Sequence, residues 1–227
     1  MDNSRILILA CATVIEEILP LLPSSMAYRV LDFGLHVNPE QLRTTLQEAI
    51  DANDNQFDII ILGYGLCSQA IIGIKSHHCK IVIPRVDDCI AIFLGSGAAY
   101  QQQCNKEPGT YYLTKGWIKV GDSPFAEYEQ MVVNQGKDRA DRIMRLMLKN
   151  YTRLALINTG QYKMDYYREY ARKTAERFGL RYEEIEGSPT LVKKMIEGNW
   201  DDDFIVLPAG EPVQFRHFFP DLYKQKV

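Results

Sequence analysis

Short apolar runs alternating with amphipathic stretches constrain this chain more than any other feature of its sequence. Residues 5–10 and 28–33 read as strands, and 58–62 and 80–84 are further apolar runs. The run Asp58 to Leu62 is continuous, as in a strand buried on both faces of a covered parallel sheet. Between the first two strands, Ala12 to Leu22 has helical spacing until Pro20 and Pro23 break it. Asn38-Pro39-Glu40 opens a second helix, with Asn38 as N-cap and Pro39 at the first helical position. Leu42, Leu46, Ala49 and Ile50 give that helix one apolar face as far as Ala52. This cadence predicts right-handed βαβ crossovers and a parallel sheet.

The stretch from 95 to 130 breaks the rhythm. Gly95-Ser-Gly97, Pro108-Gly-Thr-Tyr-Tyr112, Lys115-Gly-Trp117 and Gly121-Asp-Ser-Pro124 combine turn residues with aromatics. It reads as an irregular, ordered excursion long enough to cover a site. Helix resumes at 137–150, followed by a strand at 152–158 and a helix at 165–178 that stops at Gly179. A strand at 181–185, a helix capped by Ser188, and a strand at 204–207 complete a second βαβαβ series. The expected architecture is α/β, with two Rossmann-like parallel-sheet halves joined by an irregular aromatic-rich connection. The halves are set at 1–135, an N-terminal unit with its covering loop, and 136–227, a C-terminal unit.

Composition excludes several partners. With 227 residues, 46% hydrophobic and 24% charged, the chain can bury a full core. A net charge of −3 and a pI near 5.9 argue against nucleic acid or an anionic membrane surface. No window approaches the roughly 18 consecutive apolar residues of a membrane helix. Met1-Asp-Asn-Ser-Arg5 enters a strand with no basic leader, so a cytoplasmic location is expected. Five widely spaced cysteines, an odd number, fit reduced thiols better than a disulfide framework.

Four metal-ligating side chains fall where strands run out. Cys11 follows the first strand, His36 the second, Cys67 the third and Cys89 the fourth. If these strands are parallel neighbours, the four side chains gather at the sheet edge where open α/β sheets bind ligands. Together they make a Cys₃His shell suited to zinc, while three thiolates alone would leave a position open on zinc or on the unique iron of a [4Fe–4S] cluster. The spacings match no zinc-finger or ferredoxin pattern, which argues against a structural zinc knob. Helix N-termini after Cys11 and Cys89 are expected to lower those thiol pKa values. Cys79, after His77-His78, and Cys104 have no such placement and are read as structural or incidental.

Neighbouring residues extend the candidate site. Arg85 and Asp88, in the loop that ends at Cys89, would orient ligands or take an anionic substrate group as catalytic residues. Gly63 and Gly65 would let backbone approach a cofactor, and Gly95 with Ser96 has some of the chemistry of a phosphate-cradling loop without being a P-loop or a full dinucleotide fingerprint. Tyr111 and Trp117 could stack on a planar ligand, although aromatics at turns more often pack locally. Asp165 to Arg168 and Asp201 to Asp203 read as a helix start and a solvated turn.

Several of these motifs occur together in a known family. The Ala10-Cys11 turn, His36-Val-Asn-Pro39, Leu62-Gly-Tyr-Gly-Leu-Cys67, Pro84-Arg85 with Asp88-Cys-Ile90, Leu94-Gly-Ser96, Pro108-Gly-Thr-Tyr-Tyr-Leu-Thr114 and Gly116-Trp117 resemble the DUF1638 family, a domain of unknown function. The resemblance carries over Cys11, His36, Cys67, Arg85, Asp88 and Cys89, but Asp87 stands where members commonly have histidine. It implies an anaerobic bacterial or methanogenic context, often beside corrinoid-dependent methyltransferase genes. The expected function is therefore a metal–thiolate protein, enzyme or accessory factor, in corrinoid-linked methyl transfer and one-carbon metabolism. Its metal would be zinc or, as the alternative, a [4Fe–4S] cluster, and its partners a small-molecule substrate or corrinoid methyltransferase proteins. A metal-free enzyme with a cysteine nucleophile, or a non-catalytic corrinoid- or nucleotide-binding module, are the competing expectations.

Overall fold

The computed structural model describes residues 5–32, 34–35, 38–121 and 123–222. The chain divides into two compact units, and the division differs from the expected break at 135/136. The first unit combines 1–100 with 188–227, and the second is the intervening 101–187. The second unit is thus inserted into the first.

The first unit is built on a five-stranded sheet in the order β2-β1-β3-β4-β8. Its strands are β1 (Ile6–Cys11), β2 (Ala27–Leu31), β3 (Ile59–Gly63), β4 (Lys80–Pro84) and β8 (Phe204–Leu207). The first four are mutually parallel, as the apolar runs require. Every residue of β1 is buried, whereas the edge strand β2 is largely exposed. Helices α1 (Ala12–Ile18) and α2 (Pro39–Asp51) supply the first two crossovers. The Asn38 side chain accepts from the Gln41 N–H, and Leu42, Leu46 and Ile50 form the buried face, as the spacing implies. The β3-to-β4 connection carries only one 3₁₀ turn, at Cys67–Gln69. After β4 come α3 (Cys89–Leu94), of six residues, and α4 (Gly97–Lys106), which leads into the second unit. The chain returns through α9 (Thr190–Glu197) and α10 (Phe215–Phe218).

Strand β8 corrects a second expectation. It does not close a sheet in the C-terminal half but runs antiparallel beside β4, pairing Ile83 with Ile205 and Pro84 with Phe204. Two more bonds reinforce this edge: Arg85 N–H donates to the Asp203 carbonyl at 2.7 Å and Arg85 Nη2 to the Phe204 carbonyl at 3.2 Å. Ser188 is not the N-cap of α9. That position is Pro189, and the Ser188 hydroxyl accepts instead from the Thr190 N–H.

The second unit has a parallel three-stranded sheet, β5 (Thr110–Leu113), β6 (Arg153–Asn158) and β7 (Arg181–Glu186), with β6 central. Its helices are α5 (Lys115–Val120), α6 (Pro124–Gln135), α7 (Lys137–Met147) and α8 (Asp165–Phe178). The stretch from 95 to 130, expected to be an irregular cover, is therefore mostly regular: it holds α4, β5, α5 and the start of α6, separated by caps and turns. Thr114 and Ser123 cap α5 and α6 by accepting from the Trp117 and Ala126 N–H groups. Turn residues there mark element ends, and aromatics between them supply core. Among the described residues no helix is long and apolar enough to cross a membrane.

One charged side chain organises the second unit from inside. Arg153, fully buried at the start of β6, donates from Nε to the Thr110 hydroxyl at 2.8 Å. Its Nη1 reaches Glu183 Oε2 at 3.1 Å and its Nη2 reaches Gln103 Oε1 at 3.0 Å. All three strands and the end of α4 are tied through this guanidinium. Bonds from Arg181, and next from Arg153, hold the Glu183 carboxyl below its ordinary value of 4.5. Stability that depends on this carboxylate is complete above that value and is lost as pH falls through the lowered folded-state value. Glu183→Gln is therefore expected to lower the urea midpoint near neutral pH, with the difference from wild type shrinking as pH falls from about 5 to about 3. A midpoint difference independent of pH would contradict it.

Candidate functional site

The strand order fixes where a site can form. After β1 the chain moves to β2 on one side, then crosses back to β3 on the other. The switch point of the sheet therefore lies between the carboxyl ends of β1 and β3, where open α/β sheets bind ligands. Cys11 is the last residue of β1 and Cys67 stands four residues past β3, so the two flank that crevice. Cys89 opens α3, one loop after the adjacent strand β4.

Each thiol is held by local backbone. Cys11 occupies the N-cap position of α1 with extended backbone. Cys67 has φ +44° and Gln69 φ +67°, left-handed conformations that side chains other than glycine rarely adopt and that cost about 1 kcal/mol or more apiece. Surrounding bonds impose this turn: Cys67 N–H donates to the Asp87 carbonyl at 2.9 Å and Leu66 N–H to the Val86 carbonyl at 2.8 Å. On its far side, Arg43 of α2 donates to the Gln69 and Ala70 carbonyls. Cys89 follows Asp88, the N-cap of α3, whose Oδ1 accepts from the Ile90 N–H at 2.8 Å and whose Oδ2 accepts from the Tyr100 hydroxyl at 3.1 Å.

The three thiols share one electrostatic environment. Cys11 and Cys89 are buried and Cys67 is half-buried. Burial pushes Cys11 up to about 11, against the pull of the Val14 and Thr13 N–H groups. Burial first, then Cys11 and Asp88, raises Cys67 to about 12. Cys89 is raised well above its ordinary range by burial, then by Cys11, Cys67 and Asp88. The expectation that helix N-termini would lower these thiols is overturned. Helices of seven and six residues offer weak dipoles, and desolvation outweighs them. Left without a cation, all three stay protonated at neutral pH. Asp88 is raised as well, by burial ahead of the neighbouring Asp87.

Tyr64, which sequence reasoning passed over, belongs to this cluster. It is 1% exposed, and its phenol is raised by burial and then by Cys11, Cys67 and Cys89 together. Its position between two glycines was the available signal. Thr13 is also fully buried two residues after Cys11, and its hydroxyl has no hydrogen-bond partner among the described residues.

Other expected site residues lie elsewhere or do something else. His36 lies outside the described residues. Gly63 and Gly65 are needed by the chain itself: a Cβ at Gly63 would stand 2.7 Å from Ala10 Cβ, and one at Gly65 only 2.6 Å from the Val86 carbonyl oxygen. Gly95 ends α3 in a left-handed conformation against Ser188, and the Ser96 hydroxyl accepts from the Ala99 N–H in the first turn of α4. Tyr111 packs edge-on against Phe125 and Tyr151, and Trp117 packs on the same core cluster of the second unit. These four are accounted for by caps and packing. Arg85 turns to β8 and lines a cavity with none of the thiols in its wall. Cys79 is buried, its carbonyl accepting from Ser76, and Cys104 lies in α4.

The donor set fits a soft metal in kind, with two buried thiols and one half-buried one placed at or just past three strand ends. As the side chains stand, no group of three or more His, Cys, Asp or Glu among the described residues is disposed to hold a metal ion. Coordination would require the thiols to lose their protons.

The fold defines an α/β protein that carries three cysteines beside a sheet switch point, two of them buried and one half-buried. The chain belongs to the DUF1638 family of proteins of unknown function, whose family model matches residues 30–196. That span contains Cys67, Asp88 and Cys89 but begins after Cys11. No curated protein and no solved structure matches the chain.

The contact between Gly65 and the β4–α3 loop yields a test of how the site is held. Gly65→Ala must displace the Val86 carbonyl, and is expected to cost about 1–3 kcal/mol, as overpacking commonly does. Urea unfolding reads the loss, and thiol labelling reads faster modification of Cys67, whose N–H bond to Asp87 loosens. Unchanged stability with unchanged labelling would contradict this role.

Proposed function

We propose that Cys11, Cys67 and Cys89 are the protein ligands of a soft metal centre, zinc in the first instance, that serves methyl transfer in one-carbon metabolism. The observation that supports this reading is that three thiols, at or just past the ends of the neighbouring parallel strands β1, β3 and β4, share one electrostatic environment beside the switch point. Three protein sulfurs leave one zinc position for a substrate, and His36 is the alternative fourth donor. A bound zinc ion would supply positive charge that keeps a substrate thiol ionised as a methyl acceptor. Asp88, tied to Tyr100 and to the first turn of α3, would fix the position of Cys89, and Tyr64 would close the floor of the site and exclude water.

A [4Fe–4S] cluster with an open iron is the second metal reading, supported by the same three-cysteine set. A metal-free cysteine nucleophile has less support, because buried thiols with neither a cation nor an imidazole among their described neighbours are poor nucleophiles. The proposed partners are a small-molecule thiol substrate and a corrinoid methyltransferase protein.

Protein purified without oxygen is expected to carry close to one equivalent of zinc by elemental analysis, or to be brown with absorbance near 400 nm if the centre is iron–sulfur. Single Cys→Ser changes at 11, 67 and 89 should each lower metal content by about tenfold or more, as loss of a protein ligand does, whereas Cys79→Ser and Cys104→Ser should leave it unchanged. Protein with neither metal, before and after anaerobic reconstitution, would end this proposal.

A further inference from the structure

A cavity of about 510 Å³ opens in the first unit beside β8 and α10. Two arginines face it. Arg85 follows β4, with its Nη2 on the Phe204 carbonyl, while its Nε is buried without a hydrogen-bond partner among the described residues. Arg216, in α10, is exposed at the mouth. Neither guanidinium has a carboxylate partner among the described residues. A partly buried guanidinium with unused donors is costly unless something anionic completes it.

His217 completes the polar wall. Its Nδ1 accepts from the Gln214 N–H at 3.2 Å, which leaves Nε2 protonated and facing Glu211 Oε1 at 3.4 Å. Arg85, Arg216 and His217 share the wall of this cavity, and burial, with Arg216 and Arg85 adding to it against Glu211, lowers the His217 pKa. Glu211 is the one acid in the wall among the described residues. Two cations against one anion leave the cavity with net positive charge. Ile205 and Pro220 add an apolar side to a volume that suits a small molecule.

We propose that this cavity is a binding site for a small organic oxyanion, its carboxylate or phosphate group held between Arg85 and Arg216 and its carbon body against Ile205 and Pro220. Guanidinium pairs are the usual means of recognising such groups. The site has none of the thiols in its wall, so it stands or falls apart from the metal reading. It is nevertheless joined to them through sequence: Arg85 begins the short loop whose Val86 and Asp87 carbonyls hold Leu66 and Cys67 and which ends at Cys89.

The probes are inorganic phosphate and butyrate, each titrated at constant ionic strength with chloride as the reference salt. The readout is the ring-proton signal of His217, one of four histidines, assigned through His217→Asn. The expected result is saturable movement at millimolar concentration for at least one probe, weakened tenfold or more in Arg216→Gln. Because Arg216 is exposed, this variant should fold normally, as circular dichroism would verify; Arg85→Gln is the second variant. Phosphate alone, or butyrate alone, would identify the head group. The result should be the same before and after chelator treatment. Absence of saturable movement, or movement unaffected in Arg216→Gln, would overturn the proposal.

Discussion

Pairing of β1 with β3 in the register that sets Ala10 beside Gly63 is the contact on which the thiol cluster depends. Only glycine permits it, since a Cβ would press on Ala10 and on Val14 at the start of α1. The close approach brings Cys11 and the β3 loop to the two sides of one crevice. Gly65 repeats the device one layer further, letting that loop lie on the backbone of the next one. Two glycines that resemble ligand-approach residues in the sequence are thus the means by which three loops pack together. A cofactor would meet the product of that packing, the sulfurs, rather than the glycines.

Burial then decides the chemistry. A helix N-terminus favours a thiolate, but short helices cannot offset removal of three sulfurs, a phenol and a carboxyl from water. Protonated and tightly packed, the cluster is quiet on its own. Only ionised sulfurs would repel one another, so a cation that displaced their protons is what the proposed metal function requires of this cluster.

Much of this was legible in sequence because it follows from period and punctuation. Continuous apolar runs gave the buried parallel strands, Asn38-Pro39 marked the start of α2, and Gly179 marked the end of α8. The common placement of Cys11, Cys67 and Cys89 at strand ends was visible for the same reason. What local pattern could not carry was partnership at a distance. Phe204 to Leu207 reads as a strand in any context, and nothing within it says that it returns across the inserted unit to run antiparallel beside β4. Arg85 looked like a companion of Cys89 because only four positions separate them, yet β8 draws its guanidinium away. Tyr111 and Trp117 looked like stacking platforms because their loop seemed irregular; once β5 exists, their rings face a core. The rise in thiol pKa was likewise hidden, since burial depends on layers contributed from elsewhere in the chain.

The nested arrangement of the two units has a consequence for biogenesis. Residues 101–187 form an unbroken segment and hold all the strands of their own sheet, so that unit can assemble while later residues are still being synthesised. The sheet bearing the cysteines is in the opposite position. Its first four strands emerge early, but the edge of β4 stays bare until residue 207 is made. An open edge beside a run such as Lys80 to Pro84 invites pairing with another nascent chain. In this topology the strand that covers β4 is made after the whole insert, and a ribosome stalled within the insert would display the bare edge of β4.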